Sequence, residues 1–204
     1  MKKLNQYVIL FPQIFLIAMF IGGCATKSYI NVNYRLPVSS NSLEGETVFI
    51  HFTDVRADKS IFGKNAKTEF KNFTGIFSFS LDMGKNKSFV VGAFDLPSLF
   101  KEAFSKKLEN VGIEVLTDQE KAKSIFEIVL QEVVLDLVGR KWVAEISYEA
   151  RLIKDNILIA KESINGKAER TKVFRQKDAE RVLSDIFTAV INKLDVHKLL
   201  KQPK

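Results

Sequence analysis

Apolar residues recur along this chain in two periods. Leu96, Leu99, Phe100, Ala103, Phe104, Leu108 and Val111 are spaced by three and four, which makes one stripe of an amphipathic helix. Asp95 stands at its N-cap position, Pro97 in its first turn and Gly112 at its end. From about Asp178 the same spacing returns in Ala179, Val182, Leu183, Ile186, Phe187, Val190, Ile191 and Leu194. Glu180, Arg181, Ser184, Asp185 and Lys193 fall on the opposite face.

Elsewhere the period is two. Trp142, Ala144, Ile146, Tyr148, Ala150 and Leu152 alternate with Glu145, Ser147, Glu149 and Arg151, the pattern of a half-buried strand. Ile125 to Val138 is a long apolar run whose phase changes, predicting a bulge near Gln131-Glu132. Gly139-Arg140 turns the chain into the Trp142 strand, and Asp155-Asn156 turns it again into a strand over Ile157 to Ala168. A short strand over Thr47 to Thr53 places Val48, Ile50 and Phe52 on one face, and Asp54, Arg56 and Asp58 continue that row. Residues 59 to 72 read as a basic loop. Phe73 to Leu81 and Ser88 to Phe94 flank Asp82 to Lys87 as a hairpin. Both helices are one-sided and the last three strands form a meander. The fold class is therefore α+β, an antiparallel or mixed sheet with two amphipathic helices on one face.

The amino terminus follows neither period. Lys2 and Lys3 precede Val8 to Ile21, where only Pro12 and Gln13 interrupt the apolar residues, the composition of a secretory signal. It ends in Ile21-Gly22-Gly23-Cys24, and Cys24 is the only cysteine of the 204 residues. This tetrapeptide resembles the lipobox of bacterial lipoproteins. The resemblance implies cleavage before Cys24, diacylglycerol on its sulfur and an acyl chain on the new amino terminus, with no other cofactor. The alternatives are a plain signal peptide or an uncleaved signal anchor. Ala25, rather than Asp, after the cysteine leans toward the outer membrane. The expected organisation is a signal over residues 1–23, a lipidated Cys24 with a flexible tether over 24–45, and one α+β domain over 46–204. The tether is rich in Ser and Asn and spans roughly 25 Å; an extended edge strand over Tyr29 to Leu36 is the alternative.

The lipobox, the Asp54-Val55-Arg56-x-Asp58 segment, the helix over Leu99 to Gly112 and the meander followed by a helix resemble the YajG-like group of bacterial lipoproteins. In topology they are also similar to the amino-terminal domain of TolB. The resemblance implies a cell-envelope location facing the periplasm and an α+β fold, and it carries over no catalytic residue.

Composition narrows the chemistry. The chain holds 31 Lys+Arg against 24 Asp+Glu, a formal charge of +7, which falls by two to +5 when Lys2 and Lys3 leave with the signal. No Gly-x-Ser-x-Gly elbow, phosphate loop or His-Glu-x-x-His is present, and only His51 and His197 remain as histidines. These two are expected as a strand residue and a cation near a helix C-terminus, without a metal. Asp54, Arg56 and Asp58 are expected as a structural ion-pair network. The rival is an envelope hydrolase working through a carboxylate pair, drawn from a cluster of Asp54, Asp58 and a meander glutamate such as Glu145 or Glu149. The basic groups are Lys64/Lys67/Lys71, Lys85/Lys87, Lys106/Lys107 and Arg170/Lys172/Arg175/Lys177. They suit anionic lipid or cell-wall polymer better than nucleic acid, or are merely solvated.

Of 17 phenylalanines, Phe73, Phe77 and Phe79 belong to the hairpin, where they form either a docking surface for an envelope protein or part of the core. The function read from all this is a non-catalytic, lipid-anchored accessory protein docking to an envelope assembly or cell-wall machine. A self-associating structural lipoprotein is the second alternative.

Overall fold

A computed structural model describes residues 28–84 and 87–201. Among them eight strands and four helices follow one another: β1 Tyr29–Arg35, β2 Thr47–Asp54, α1 Ala66–Glu69, β3 Ile76–Asp82, β4 Ser88–Phe94, α2 Leu96–Glu109, β5 Glu114–Leu116, β6 Ser124–Val138, β7 Lys141–Lys154, β8 Ile157–Thr171, α3 Gln176–Lys193 and α4 Val196–Lys201. The class is mixed α+β. The strands form two mixed sheets rather than one, in the orders β5-β2-β6-β7-β8 and β1-β3-β4.

The large sheet follows from long alternation. β6, β7 and β8 make the expected antiparallel meander, and the β6–β7 register shifts between Leu130 and Glu132, where the phase of the apolar run changes. β2 joins β6 and β5 in parallel. α2 begins where the Asp95 carboxylate accepts the Ser98 N–H at 2.9 Å and buries Leu99, Phe100, Ala103, Phe104 and Leu108. Gly112 turns the chain at φ +95°, where a Cβ would stand 3.0 Å from the Glu44 nitrogen, so only glycine fits without strain. α3 lies against β7 and β8, and the Tyr148 hydroxyl donates to its Val190 carbonyl at 2.9 Å. Gly166 admits this close approach: a Cβ there would meet Val190 Cγ1 at 2.6 Å.

The flexible tether expected over 24–45 is corrected for residues 28 to 45. Tyr29–Arg35 is a strand, paired in parallel with β3 along its whole length, with Ile30, Val32 and Tyr34 buried in the common core. The following segment is docked too, since Leu43 is buried and its N–H donates to the Val111 carbonyl at 3.0 Å. Residues 28 to 45 are therefore part of the folded domain. The basic loop expected over 59–72 contains α1, and Phe62 bridges to Leu135 of β6.

The free edge of β1 is closed by side chains of α3. The Asn31, Asn33 and Arg35 N–H groups donate to Glu180 Oε1 (3.1 Å), Ser184 Oγ (3.0 Å) and Thr188 Oγ1 (3.2 Å). Asn192 Nδ2 donates to the Arg35 carbonyl at 2.9 Å. Two strand residues rise about 6.6 Å and four helix residues about 6.0 Å, so a polar stripe at i, i+4 keeps step with alternate backbone groups of a strand. The helix supplies the hydrogen bonds that a further strand would otherwise make.

Candidate functional site

The polar row at the end of β2 is the best-defined cluster the sequence points to. Val48 and Ile50 face the core, so Asp54 emerges on the same side at the rim. Arg56 folds back upon it: Nη2 reaches Asp54 Oδ2 at 2.9 Å, and Nε and the backbone nitrogen both reach Oδ1, at 3.1 and 3.0 Å. Nη2 also donates to the Lys59 carbonyl at 3.2 Å, and Lys59 Nζ approaches Asp54 at 3.2 Å. Burial pushes the Asp54 carboxyl up, but hydrogen bonds from Arg56 and Lys59 outweigh it and hold it at about 2. A carboxylate so held neither gives nor takes a proton near neutrality.

Asp58 is not part of this pair. Its Oδ1 accepts the Ser60 N–H at 2.8 Å, a local turn, because β2 stops at Asp54 and the alternation that placed three residues in one row stops with it.

Beside the pair lies a mainly apolar groove of about 380 Å³, walled by Ile61, Phe62, Phe73, Phe77 and Leu96 with Arg56 at its rim. Phe73 is half-buried, its ring edge-on to Phe62 and Phe77 at 5.2 and 5.3 Å. Phe77 and Phe79 are buried in the core, where Phe79 packs on Phe187 of α3. Of the two alternatives for these residues, Phe77 and Phe79 take the core one and are not an exposed docking surface, while Phe73 is half-buried beside them.

The carboxylates of the hydrolase alternative are not brought together. Glu145 and Glu149 alternate with the buried residues of β7 and so project from the face opposite Asp54. Glu145 pairs with Lys167 at 2.6 Å, and Glu149 is bound by Arg151 and approached by Lys161. The Arg151 hydrogen bond holds the Glu149 carboxyl below its ordinary value against the effect of burial. His51 is exposed on β2, and His197 Nε2 lies 2.9 Å from Ser42 Oγ. Among the described residues no three His, Cys, Asp or Glu side chains converge as a metal site. Cys24 lies outside the described residues.

Three features escaped the sequence. The first is the outer edge of β4, the last strand of the small sheet, where Phe89 and Val90 are 49% and 69% exposed. The uncharged run Ser88-Phe89-Val90-Val91-Gly92-Ala93-Phe94 was its signal. The second is Lys107, which is buried, with Nζ donating to the Ile191 and Leu194 carbonyls. Its signal was its place inside the apolar stripe of α2. The third is a clustering of basic residues: the groups around α1 and around residues 172–177 meet at one end of the molecule. There Lys172 Nζ pairs with Glu69 at 2.7 Å and Gln176 Nε2 donates to the Glu69 carbonyl.

No family model matches the chain, and no curated protein matches it in sequence. Solved structures do match. Protein XCC0632 from Xanthomonas campestris, of family DUF330, has a TM-score of 0.54 at 13% identity, over 84% of this chain and 94% of that one. The two share a fold. Lipoprotein GNA1162 from Neisseria meningitidis matches at TM-score 0.36 and 8% identity, over 72% of this chain and 99% of its own. Uncharacterized lipoprotein B from Nitrosomonas europaea matches at 0.37 and 14%, over 78% and 81%. Among the described residues no helix is long and apolar enough to cross a membrane.

Proposed function

We propose that the chain is a lipid-anchored protein of the bacterial cell envelope that works by binding rather than catalysis. The anchor is Cys24, carrying diacylglycerol on sulfur and an acyl chain on nitrogen. The lipobox and the resemblance to YajG-like lipoproteins support this reading, with Ala25 favouring the outer membrane and its periplasmic face. Two acylated positions hold a protein stably where one chain holds it marginally. The state of the carboxylates favours binding, since Asp54 and Glu149 are committed to arginines.

The observation that carries the binding role is the contrast between sheet edges. The β1 edge is sealed by α3, and β8 is studded with Lys161, Glu162, Lys167, Glu169 and Arg170, which discourage further pairing. β4 has neither device and exposes Phe89 and Val90. An extended segment of an envelope protein adds to β4 as a fourth strand, with backbone hydrogen bonds for affinity and the two side chains for grip.

The test places a photocrosslinking residue at Val90 in living cells, with Lys161 as the control position. The reading requires discrete adducts from Val90 that vanish when Phe89→Lys is added. Adducts that prove to be the chain's own dimer would move the assignment to a self-associating structural lipoprotein. Equal, diffuse labelling at both positions would end the docking role.

A further inference from the structure

The small number of residues between Cys24 and the folded domain determines which end of the molecule meets the membrane. Ser28 is held in place by Thr74, whose backbone nitrogen and Oγ1 donate to its carbonyl at 2.9 and 2.8 Å. Four residues of extended chain reach at most about 14 Å, so a lipid on Cys24 keeps Ser28 within that distance of the head groups.

The surface around Ser28 is built from parts distant in sequence. β1 and α3 run side by side, with Asn31 against Glu180 and Arg35 against Thr188, so Ser28 lies beside the start of α3. The segment just before α3 is an exposed apolar pair, Val173 and Phe174, 66% and 63% exposed. The β6–β7 turn joins the same end, because the Lys172 N–H donates to the Arg140 carbonyl, and Val138 of that turn is exposed. α1 is pinned there by Glu69.

Cations ring these apolar side chains. Lys67 and Lys71 flank the α1 side, Arg140 lies in the turn, and Arg175 and Lys177 follow Phe174, all of them exposed. None of the five makes an ion pair among the described residues, whereas the acidic neighbours are engaged: Glu69 by Lys172, Glu169 by Lys141, and Asp178 by the Val173 and Phe174 N–H groups. Apolar tips inside a ring of free cations suit the interface of an anionic bilayer, where lipid phosphates meet the cations and side chains enter the acyl boundary.

A second exposed apolar group, Ile157 to Ile159, sits at the other end of β8. The strand between is 15 residues long, about 45 Å, far beyond the reach of the anchor.

We infer that the end bearing Val173, Phe174 and Val138 lies against the anionic lipid surface that holds the anchor, fixing the domain's orientation so that the opposite end of β8 points away. This rests on the proposed lipidation of Cys24, and the test separates the two. Phe174→Cys and Ile157→Cys are prepared in the full lipidated chain, each carrying an environment-sensitive fluorophore. They are placed in vesicles of phosphatidylethanolamine and phosphatidylglycerol. The label at 174 should shift to the blue and be quenched by nitroxide lipids, while the label at 157 stays aqueous. Arg175→Gln with Lys177→Gln should reduce the fraction of inserted label, by about fivefold in the insertion equilibrium per charge removed. Intact mass reads the acyl chains on Cys24 directly. A lipidated chain whose label at 174 is as aqueous as that at 157 overturns the orientation alone. A chain that reaches the membrane fraction without acyl chains overturns the anchor and the orientation with it.

Discussion

Lys107 Nζ lies 2.6 Å from the Leu194 carbonyl oxygen, so a lysine of α2 caps the C-terminal end of α3 from inside the core. A second bond to the Ile191 carbonyl completes the cap. The two carbonyls are among the groups a helix leaves without internal partners at its end. Lys107→Met keeps an unbranched side chain only one atom shorter and removes the donor of both bonds. It should cost about 1–3 kcal/mol, the penalty for leaving buried acceptors unpaired, measured by urea denaturation.

The same lysine gives stability a pH dependence. Burial lowers its pKa from 10.5 to about 8. Between these values the unfolded chain holds a proton that the folded one has released, so stability rises with pH across that window. The neutral amine still has two hydrogens for its two carbonyls. Burial also pushes the Tyr34 and Tyr148 hydroxyls upward, which removes stability once pH passes the ordinary tyrosine value of 10. Thermal melts at stepped pH should therefore improve above pH 8 and worsen beyond 10. The improvement should be missing in Lys107→Met.

Acid acts through Asp54. Its carboxyl is held at about 2 against an ordinary 3.8, so the stability it contributes is complete above 3.8 and is lost as pH falls toward 2. Asp54→Asn should remove the Asp54 share of the acid dependence and leave that of Asp95, Glu149 and Asp178, whose carboxyls are also held low by hydrogen bonds. It should also destabilise the protein at neutral pH by about 3–5 kcal/mol, because Arg56, only 7% exposed, is left without its counter-charge. Chemical denaturation at pH 7 and pH 3 reads both effects.

The small sheet has both buried and exposed apolar side chains. Phe79→Ala opens a cavity beside Tyr34, Phe94 and Phe187 and should cost about 3–5 kcal/mol. Val90→Ser changes a surface position and should stay within about 0.5 kcal/mol. Equal melting temperatures for the two variants would contradict the packing described.

Amide hydrogen exchange tests the sealed edge of β1. Ser184→Ala and Thr188→Val remove the acceptors of the Asn33 and Arg35 N–H groups. At about 1 kcal/mol per hydrogen bond, those two amides should exchange roughly fivefold faster, with amides in the middle of β7 unchanged.

These residues also show what a sequence can reveal. The meander and the long helices were legible because their alternation persists over ten or more positions and both periods agree with the turns that bound them. β1 was legible only as the alternative to a tether, an edge strand over Tyr29 to Leu36, because Asn31 and Asn33 stand at alternate positions and its edge partners are side chains in the carboxy-terminal helix. Asp58 was misplaced because a strand's period was continued past the residue where Arg56 turns back. Phe79 was undecidable locally, since it packs on Phe187, which is far away in sequence. Asp54 and Arg56 were legible as a pair because both lie on one short segment.

The closing of β1 by α3 has a consequence for how the chain is made. Hydrogen bonds from Asn31 to Glu180 and from Asn192 to Arg35 span 149 and 157 residues. The first described strand is finished only by a helix made about 150 residues later, and closing so long a loop is slow. Until then the nascent chain carries an open strand edge, a template on which other chains can pair. Loss of the segment from Gln176 onward would leave that edge of β1 bare.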